Sequence, residues 1–335
     1  MKVFLFLLYF AVSKGDLYES YQRRNEVIED RERIVSSKYF HLNNVDNRFS
    51  RRPIVIKSNL DWMKYVKDQK FVSELSIPGT HESCNLIGGP DSVSQRLTLQ
   101  EQLEIGVRAF DIRCHHISDV FMINHQDIYQ GIAFSSGVRD VCIDFLNKHP
   151  SEFILIFLKE ESQPFETTRS FAETLGKYIK GKENYFYLNE DVPTVKEARG
   201  KIIIFRRFKS SIRPLGNFID FKENEIFTSF TSIIARIQNC KYVKTIHDCY
   251  DKWEKVKIVL DEARNNVNAL SFYINFINGA GENVFPSVVD DYVKPLLGSY
   301  LEDSYPSSFC GIIMADFIES GYDNLISLII QRNLD

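Results

Sequence analysis

The sequence predicts an α/β fold, a distorted (β/α)8 TIM-type barrel built as a single domain. Three observations lead there. Short runs that are apolar on both faces recur along the chain, and stretches with helical spacing lie between several of them. Seven or eight such units fit between residues 56 and 335, which suits a barrel better than a doubly wound sheet.

In chain order, residues 1–13 (MKVFLFLLYFAVS) join an early Lys to an unbroken apolar run that ends in small residues. That is the pattern of a secretory signal peptide, so a secreted, extracellular protein is expected. Residues 14–55 are charged and poor in apolar runs, and read as an N-terminal extension with at most one exposed helix in EVIEDRERIV. Strands are expected at FVSELSI (71–77), VRAFDI (107–112), VFMIN (120–124), FILIFL (153–158), KIIIF (201–205), LSFYINF (270–276) and CGIIMADF (310–317). Helices are expected in LTLQEQLEIG, SGVRDVCIDFLNKHP, TRSFAETLGKYIKG and DKWEKVKIVLDEARNN. No apolar run after the first reaches the roughly 18 residues of a membrane span.

Composition narrows the function. With 41 Lys+Arg against 45 Asp+Glu the net charge is −4, and no dense basic block is present, which argues against nucleic acid as a partner. All six cysteines (Cys84, Cys114, Cys142, Cys240, Cys249, Cys310) follow the signal segment, where disulfides can form. Cys240 with Cys249, and Cys84 with Cys114, are the pairs considered first. None lies in a C-x-x-C pair, so structural metal binding is not expected.

Several expected strands end in an ionisable residue, the place where barrel enzymes keep their chemistry. These are His81 and Glu82, Asp111 and Arg113, His125, Lys159, Arg206 and Arg207, and Asp316. Two histidines and an arginine at one mouth suit cleavage of a phosphodiester. One imidazole removes a proton from the attacking hydroxyl, the other protonates the leaving oxygen, and the cation holds the phosphate. Asp316 and Glu82 are candidates for the carboxylates that orient those imidazoles. His41, His115, His116, His149 and His247 read as structural or incidental.

At these residues the sequence resembles the X domain of phosphatidylinositol-specific phospholipase C, in particular its bacterial-type and single-domain members. The resemblance runs from about Asn59 to the end and rests on SIPGTHES, QEQLEIGVRAFDIR, FLNKHPSEFILIFLKEE and GIIMADFIE in this order. It implies a distorted α/β barrel with His81 as general base, Asp316 behind it, His125 as general acid and Arg113 on the phosphate. It also implies that Lys159, Arg207, Asp248 and Tyr250 hold the inositol, with Arg206 the alternative to Arg207. The product implied is inositol 1,2-cyclic phosphate, opened by water in a slower step. Calcium-dependent members carry an E-x-D pair where Asp111 and Arg113 stand here, so no metal and no other cofactor is expected.

Two residues depart from the family's pattern: Glu82 stands for an Asp, and Gln126 for the Gly after the second His. The reading is therefore a secreted, metal-independent phosphatidylinositol phosphodiesterase. Cleavage of glycosylphosphatidylinositol anchors and a catalytically weak inositol-lipid-binding protein are the alternatives. The expected partner is inositol lipid at a bilayer surface, met by a monomer, with Phe134 and Phe285 as candidate lipid-facing aromatics. A glycerophosphodiester phosphodiesterase would need metal-binding carboxylates, and Arg113 argues against it.

Overall fold

The computed structural model describes residues 58–304 and 308–334. The expected signal segment 1–13, the extension 14–55 and His41 lie outside the described residues.

Twelve strands form one sheet: β1 Ile77–Thr80, β2 Ala109–Ile117, β3 Val120–His125, β4 Ile128–Ala133, β5 Ile154–Glu160, β6 Phe186–Tyr187, β7 Ile202–Arg206, β8 Asn217–Phe218, β9 Ile226–Phe230, β10 Ile234–Gln238, β11 Ser271–Phe276 and β12 Ile312–Ala315. Their order is β6-β7-β5-β2-β1-β12-β11-β10-β9, parallel from β6 to β10 and antiparallel at β9. The curl stays short of a closed backbone ladder. Between β8, which pairs with β7, and β9 the link is made by side chains: Thr231 Oγ1 donates to Phe218 O at 2.5 Å, and Ser229 Oγ accepts from Asp220 N at 3.0 Å. The expected distorted barrel is thus an incompletely closed one.

The helices are α1 Leu99–Glu104, α2 Asp140–Lys148, α3 Phe171–Ile179, α4 Val195–Ala198, α5 Asp248–Asn265, α6 Pro286–Asp303 and α7 Leu325–Gln331. Helices α1, α3 and α4 each open on a Ser/Thr-x-x-Glu capping box, Thr98/Glu101, Ser170/Glu173 and Thr194/Glu197, which satisfies first-turn amides otherwise left orphaned. Helix α6, absent from the sequence expectation, starts with Pro286 at its first turn and carries Pro295 inside.

The first expected strand is displaced. Val72–Glu74 form a 3-10 turn in which Glu74 accepts from Phe71 N at 2.7 Å, and the strand starts only at Ile77. Its Gly79 is required by close approach, since a Cβ there would lie 2.5 Å from Met314 Sδ and 2.9 Å from Ala109 Cβ. Strands β5 and β7 are buried from end to end of their apolar runs, as their unbroken sequences predict.

No disulfide joins the cysteines. All six are free and buried, packed as small apolar groups, and burial pushes the thiols of Cys84 and Cys249 up to about 12. This corrects the expected Cys240–Cys249 and Cys84–Cys114 bridges. Among the described residues no helix is long and apolar enough to cross a membrane.

Candidate active site

Parallel register assembles the site's cations. In β2, Asp111 and Arg113 are two residues apart and so share a face; in the β2–β5 ladder Arg113 stands beside Lys159, and in the β5–β7 ladder Leu158 stands beside Arg206. Lys159 is therefore flanked by Arg113 and Arg207. One layer below, Asp111 is level with Phe157 and Phe157 with Phe205, and the rings of Phe157 and Phe205 stack at 4.9 Å. An apolar floor thus carries a charged mouth.

Like charges this close require counter-charges between them. Arg113 pairs with Glu82 through NH1 and with Asp111 through NH2 at 3.0 Å, Arg207 reaches Asp111 at 3.2 Å, and Lys159 reaches Glu161 at 2.7 Å. Burial alone would push Asp111 up, but Arg113 and Arg207 hold it far below the usual carboxylate range. Burial likewise opposes ionisation of Glu82, and Arg113, His81 and His125 outweigh it to bring this group down to about 2. Burial and the neighbouring Arg113 push the Lys159 ammonium down.

His81 follows β1 directly. Its Nδ1 lies 2.9 Å from Asp316 Oδ1, at the end of β12, while its Nε2 is 3.0 Å from Arg113 NH2 and 3.4 Å from Asn278 Nδ2. Gln95 Nε2 donates to the carbonyls of His81 (2.8 Å) and Ala315 (3.0 Å), tying the two strand ends together. His125 reaches the same mouth by another route. The β2–β3 hairpin pairs Cys114 with Ile123, so β3 turns back and its last residue, His125, returns one residue past the level of Arg113. There His125 Nε2 lies 3.4 Å from Glu82 Oε2, and Nδ1 lies 2.7 Å from Ser92 Oγ.

The backbone just past each of these residues is left-handed: Glu82 has φ 42°, Gln126 φ 49° and Phe317 φ 41°. Each catalytic-type side chain is followed by a sharp reversal that stops the strand at the mouth.

These groups line a cavity of about 440 Å³ that His81, Glu82, Arg113, His125, Lys159 and Asp316 share with Ser92, Asn278, Lys241 and Tyr242. Its size suits a small polar headgroup. The last four were not singled out from sequence. Ser92 lies in an unpatterned Gly-Pro-Asp loop, while Lys241, Tyr242 and Asn278 lie in the loops after β10 and β11. Asn278 Oδ1, although buried, has no hydrogen-bond partner there.

Arg207 stands behind the cavity wall, with NH2 on Glu223 Oε1 at 3.2 Å and its guanidinium 3.7 Å above the Phe221 ring. Arg206, on the opposite face, donates to Gly216 O at 3.2 Å and to Glu190, and takes no part in the mouth. Asp248 and Tyr250 are not brought to the cavity. Asp248 accepts from Thr245 N and Oγ1 at 2.8 Å each at the start of α5, and Tyr250, exposed in the same first turn, lines a different groove with Trp253 and Tyr300. The HDCY segment is helix start, and Tyr242 supplies the aromatic wall of the cavity instead.

The expected lipid-facing aromatics are corrected as well. Phe134 is buried against Phe121 and Tyr178, and Phe285 packs half-buried on the core before α6. Exposed apolar residues on the strand that pairs with His125 are Ile128 and Tyr129 (39% and 45% exposed), and Ile87 (52%) is held to that strand through Gln130.

Comparison with known proteins follows the same residues. Residues 77–208 match the family model of the phosphatidylinositol-specific phospholipase C X domain. The 1-phosphatidylinositol phosphodiesterase of Staphylococcus aureus is 26% identical over 322 residues, covering 90% of this chain and 95% of its own. That of Listeria monocytogenes is 31% identical over 183 residues, 51% of this chain and 54% of its own. Among solved structures, a double mutant of the S. aureus phosphatidylinositol-specific phospholipase C superposes with a TM-score of 0.75 at 25% identity, covering 83% of this chain and 97% of its own. The L. monocytogenes enzyme superposes with a TM-score of 0.67 at 23% identity, covering 82% and 98%.

Proposed function

Since its residues 77–208 match the family model of the phosphatidylinositol-specific phospholipase C X domain, we propose that the chain is a metal-independent phosphatidylinositol phosphodiesterase that works by paired histidines. The observation that carries this reading is the placement of His81 and His125 on either side of one Arg113–Glu82 ion pair.

His81 Nε2 takes the proton of the inositol 2-hydroxyl, and the 2-oxygen attacks phosphorus. The bond from phosphorus to the diacylglycerol oxygen breaks, and that oxygen takes a proton from His125. The products are diacylglycerol and inositol 1,2-cyclic phosphate, which water opens more slowly. Arg113, released in part from its carboxylates, holds the phosphate charge as it builds. Asp316 keeps the His81 proton on Nδ1 and supports the imidazolium.

The charges of the site speak for work without calcium. The guanidinium of Arg113 already fills the space among Glu82, Asp111 and Glu161 where a divalent cation would need oxygen ligands. Glu82, one methylene longer than the Asp of the family pattern, still pairs with Arg113 and keeps its charge 3.4 Å from His125 Nε2, which favours catalysis over mere binding. Ile87, Ile128 and Tyr129 beside the mouth suit contact with a bilayer. Secretion rests on residues 1–13, outside the described residues.

The test is release of inositol 1,2-cyclic phosphate from phosphatidylinositol vesicles, in EDTA and in calcium, with His81→Ala as control. Activity in EDTA that the substitution abolishes supports the reading. Activity only with calcium overturns the metal-free mechanism, and no product in either buffer overturns the substrate.

A further inference from the structure

The two histidines differ in what stands behind them. Nδ1 of His81 faces a carboxylate, Asp316, at 2.9 Å, whereas Nδ1 of His125 faces the neutral hydroxyl of Ser92 at 2.7 Å. We propose that Ser92 is the positioning residue of the general acid: it accepts the Nδ1–H of His125, so that the proton given to the leaving oxygen departs from Nε2.

The argument starts from the proton inventory. An imidazolium has an N–H on each nitrogen, and to act as an acid it must lose one and keep the other. Nε2 lies 3.4 Å from Glu82 Oε2, beyond an ordinary hydrogen bond, and so stays open to the cavity. Nδ1 is within close hydrogen-bond reach of Ser92. A hydroxyl can accept this N–H before and after the transfer, without adding a second negative charge that would favour the protonated ring. Opposite partners thus suit opposite tasks: a carboxylate behind the base, a hydroxyl behind the acid. The charged groups facing His125 are Glu82 from the end of β1 and, through the neighbouring Gln126 N–H at 3.4 Å, Glu161 from the end of β5.

The surrounding chain holds Ser92 in place. Asn85 Nδ2 donates to Ser92 O at 2.5 Å and also to Glu82 Oε2 at 3.0 Å, so one amide sets the spacing between both partners of His125. Ser92 N donates to Gly89 O at 2.9 Å, and a Cβ on Gly88, whose φ is +154°, would come within 2.8 Å of Ser92 Oγ. The loop is shaped around that hydroxyl.

This proposal rests on the catalytic reading above, so its test has an arm that needs no substrate. In full-length protein, Ser92→Ala is expected to lower kcat for phosphatidylinositol roughly 10- to 100-fold with KM little changed, and Ser92→Thr, which keeps the hydroxyl, to restore most of it. In 15N-labelled protein at acid pH, the Nδ1–H of His125 should give a proton signal slow to exchange with water, lost in Ser92→Ala and kept in Ser92→Thr. An unchanged kcat in Ser92→Ala, or a rise in KM that accounts for its whole defect, overturns the proposal. So does an Nδ1–H signal that is the same in Ser92→Ala as in the parent. If the parent protein does not cleave phosphatidylinositol, the catalytic reading fails by itself and the nitrogen signal alone decides the role of Ser92.

Discussion

Arg113 donates its NH2 to Nε2 of His81 at 3.0 Å. A guanidinium has donors only, so this nitrogen presents its lone pair and the ring proton sits on Nδ1, facing Asp316. The cation that would grip the phosphate therefore also sets the base in its proton-accepting tautomer. Replacing the planar fork by a point charge breaks both duties, because a single nitrogen cannot span the positions that NH1 and NH2 reach at Glu82, Asp111 and His81. Arg113→Lys is expected to lower kcat/KM by roughly 10²- to 10³-fold while the protein stays folded. Steady-state kinetics beside a urea unfolding curve checks this, and a loss under tenfold would remove Arg113 from the mechanism.

Asp316 is buried, and burial pushes its carboxyl up while His81 pulls it back. Asp316→Asn keeps the shape but lets an amide N–H face Nδ1, which favours the wrong tautomer of His81. The expected loss in kcat is on the order of 10³- to 10⁴-fold with little change in KM. Nearly normal turnover by a folded Asn variant would show that His81 needs no carboxylate.

Glu82 ties the proposed site to acid stability. Its carboxyl is held at about 2 in the folded protein against an ordinary 4.5, so the unfolded chain binds the proton more readily. The stability this contributes is complete above about 4.5 and is lost as pH falls from there toward 2. Urea midpoints measured across that interval should fall steeply in the parent and less steeply in Glu82→Gln, whose midpoint is already lower at pH 7 because Arg113 loses a counter-charge. Parallel curves would mean that the Arg113–Glu82 pair adds nothing to stability.

Gln126 stands at φ 49° just after His125, a conformation that costs about 1 kcal/mol or more for a residue with a Cβ. Gln126→Gly removes that strain and adds freedom to the unfolded chain, so its stability should lie within about 1 kcal/mol of the parent. Gln126→Val, branched at Cβ, should cost more than that. Thermal unfolding of the pair checks the sign, and Gln126→Gly should keep the hydrogen bonds to Glu161 and Ser162, which the backbone of Gln126 makes.

The sequence determined by itself what short-range physics can carry. The unbroken apolar runs 153–158 and 202–205 read as buried strands, and a charge at the end of such a strand must face either solvent or a site. That made Arg113, Lys159, His81 and Asp316 visible as a group. Shorter or more polar strands such as β9 and β10 were invisible, because their alternation spans only five residues. HDCY misled because Asp248 is a local partner of Thr245, a contact over three residues that a motif match cannot separate from a ligand contact.

Only the tertiary structure decided which distant loops close the cavity. Ser92 meets His125 across 33 residues of sequence and Asn278 meets His81 across 197. It also decided that the thiols stay unbridged and that Tyr242 rather than Tyr250 faces the site. Such contacts depend on strand order and register in a curled sheet, where a shift of one residue turns every side chain to the opposite face. Local pattern names the residues able to do the chemistry; register chooses which of them meet.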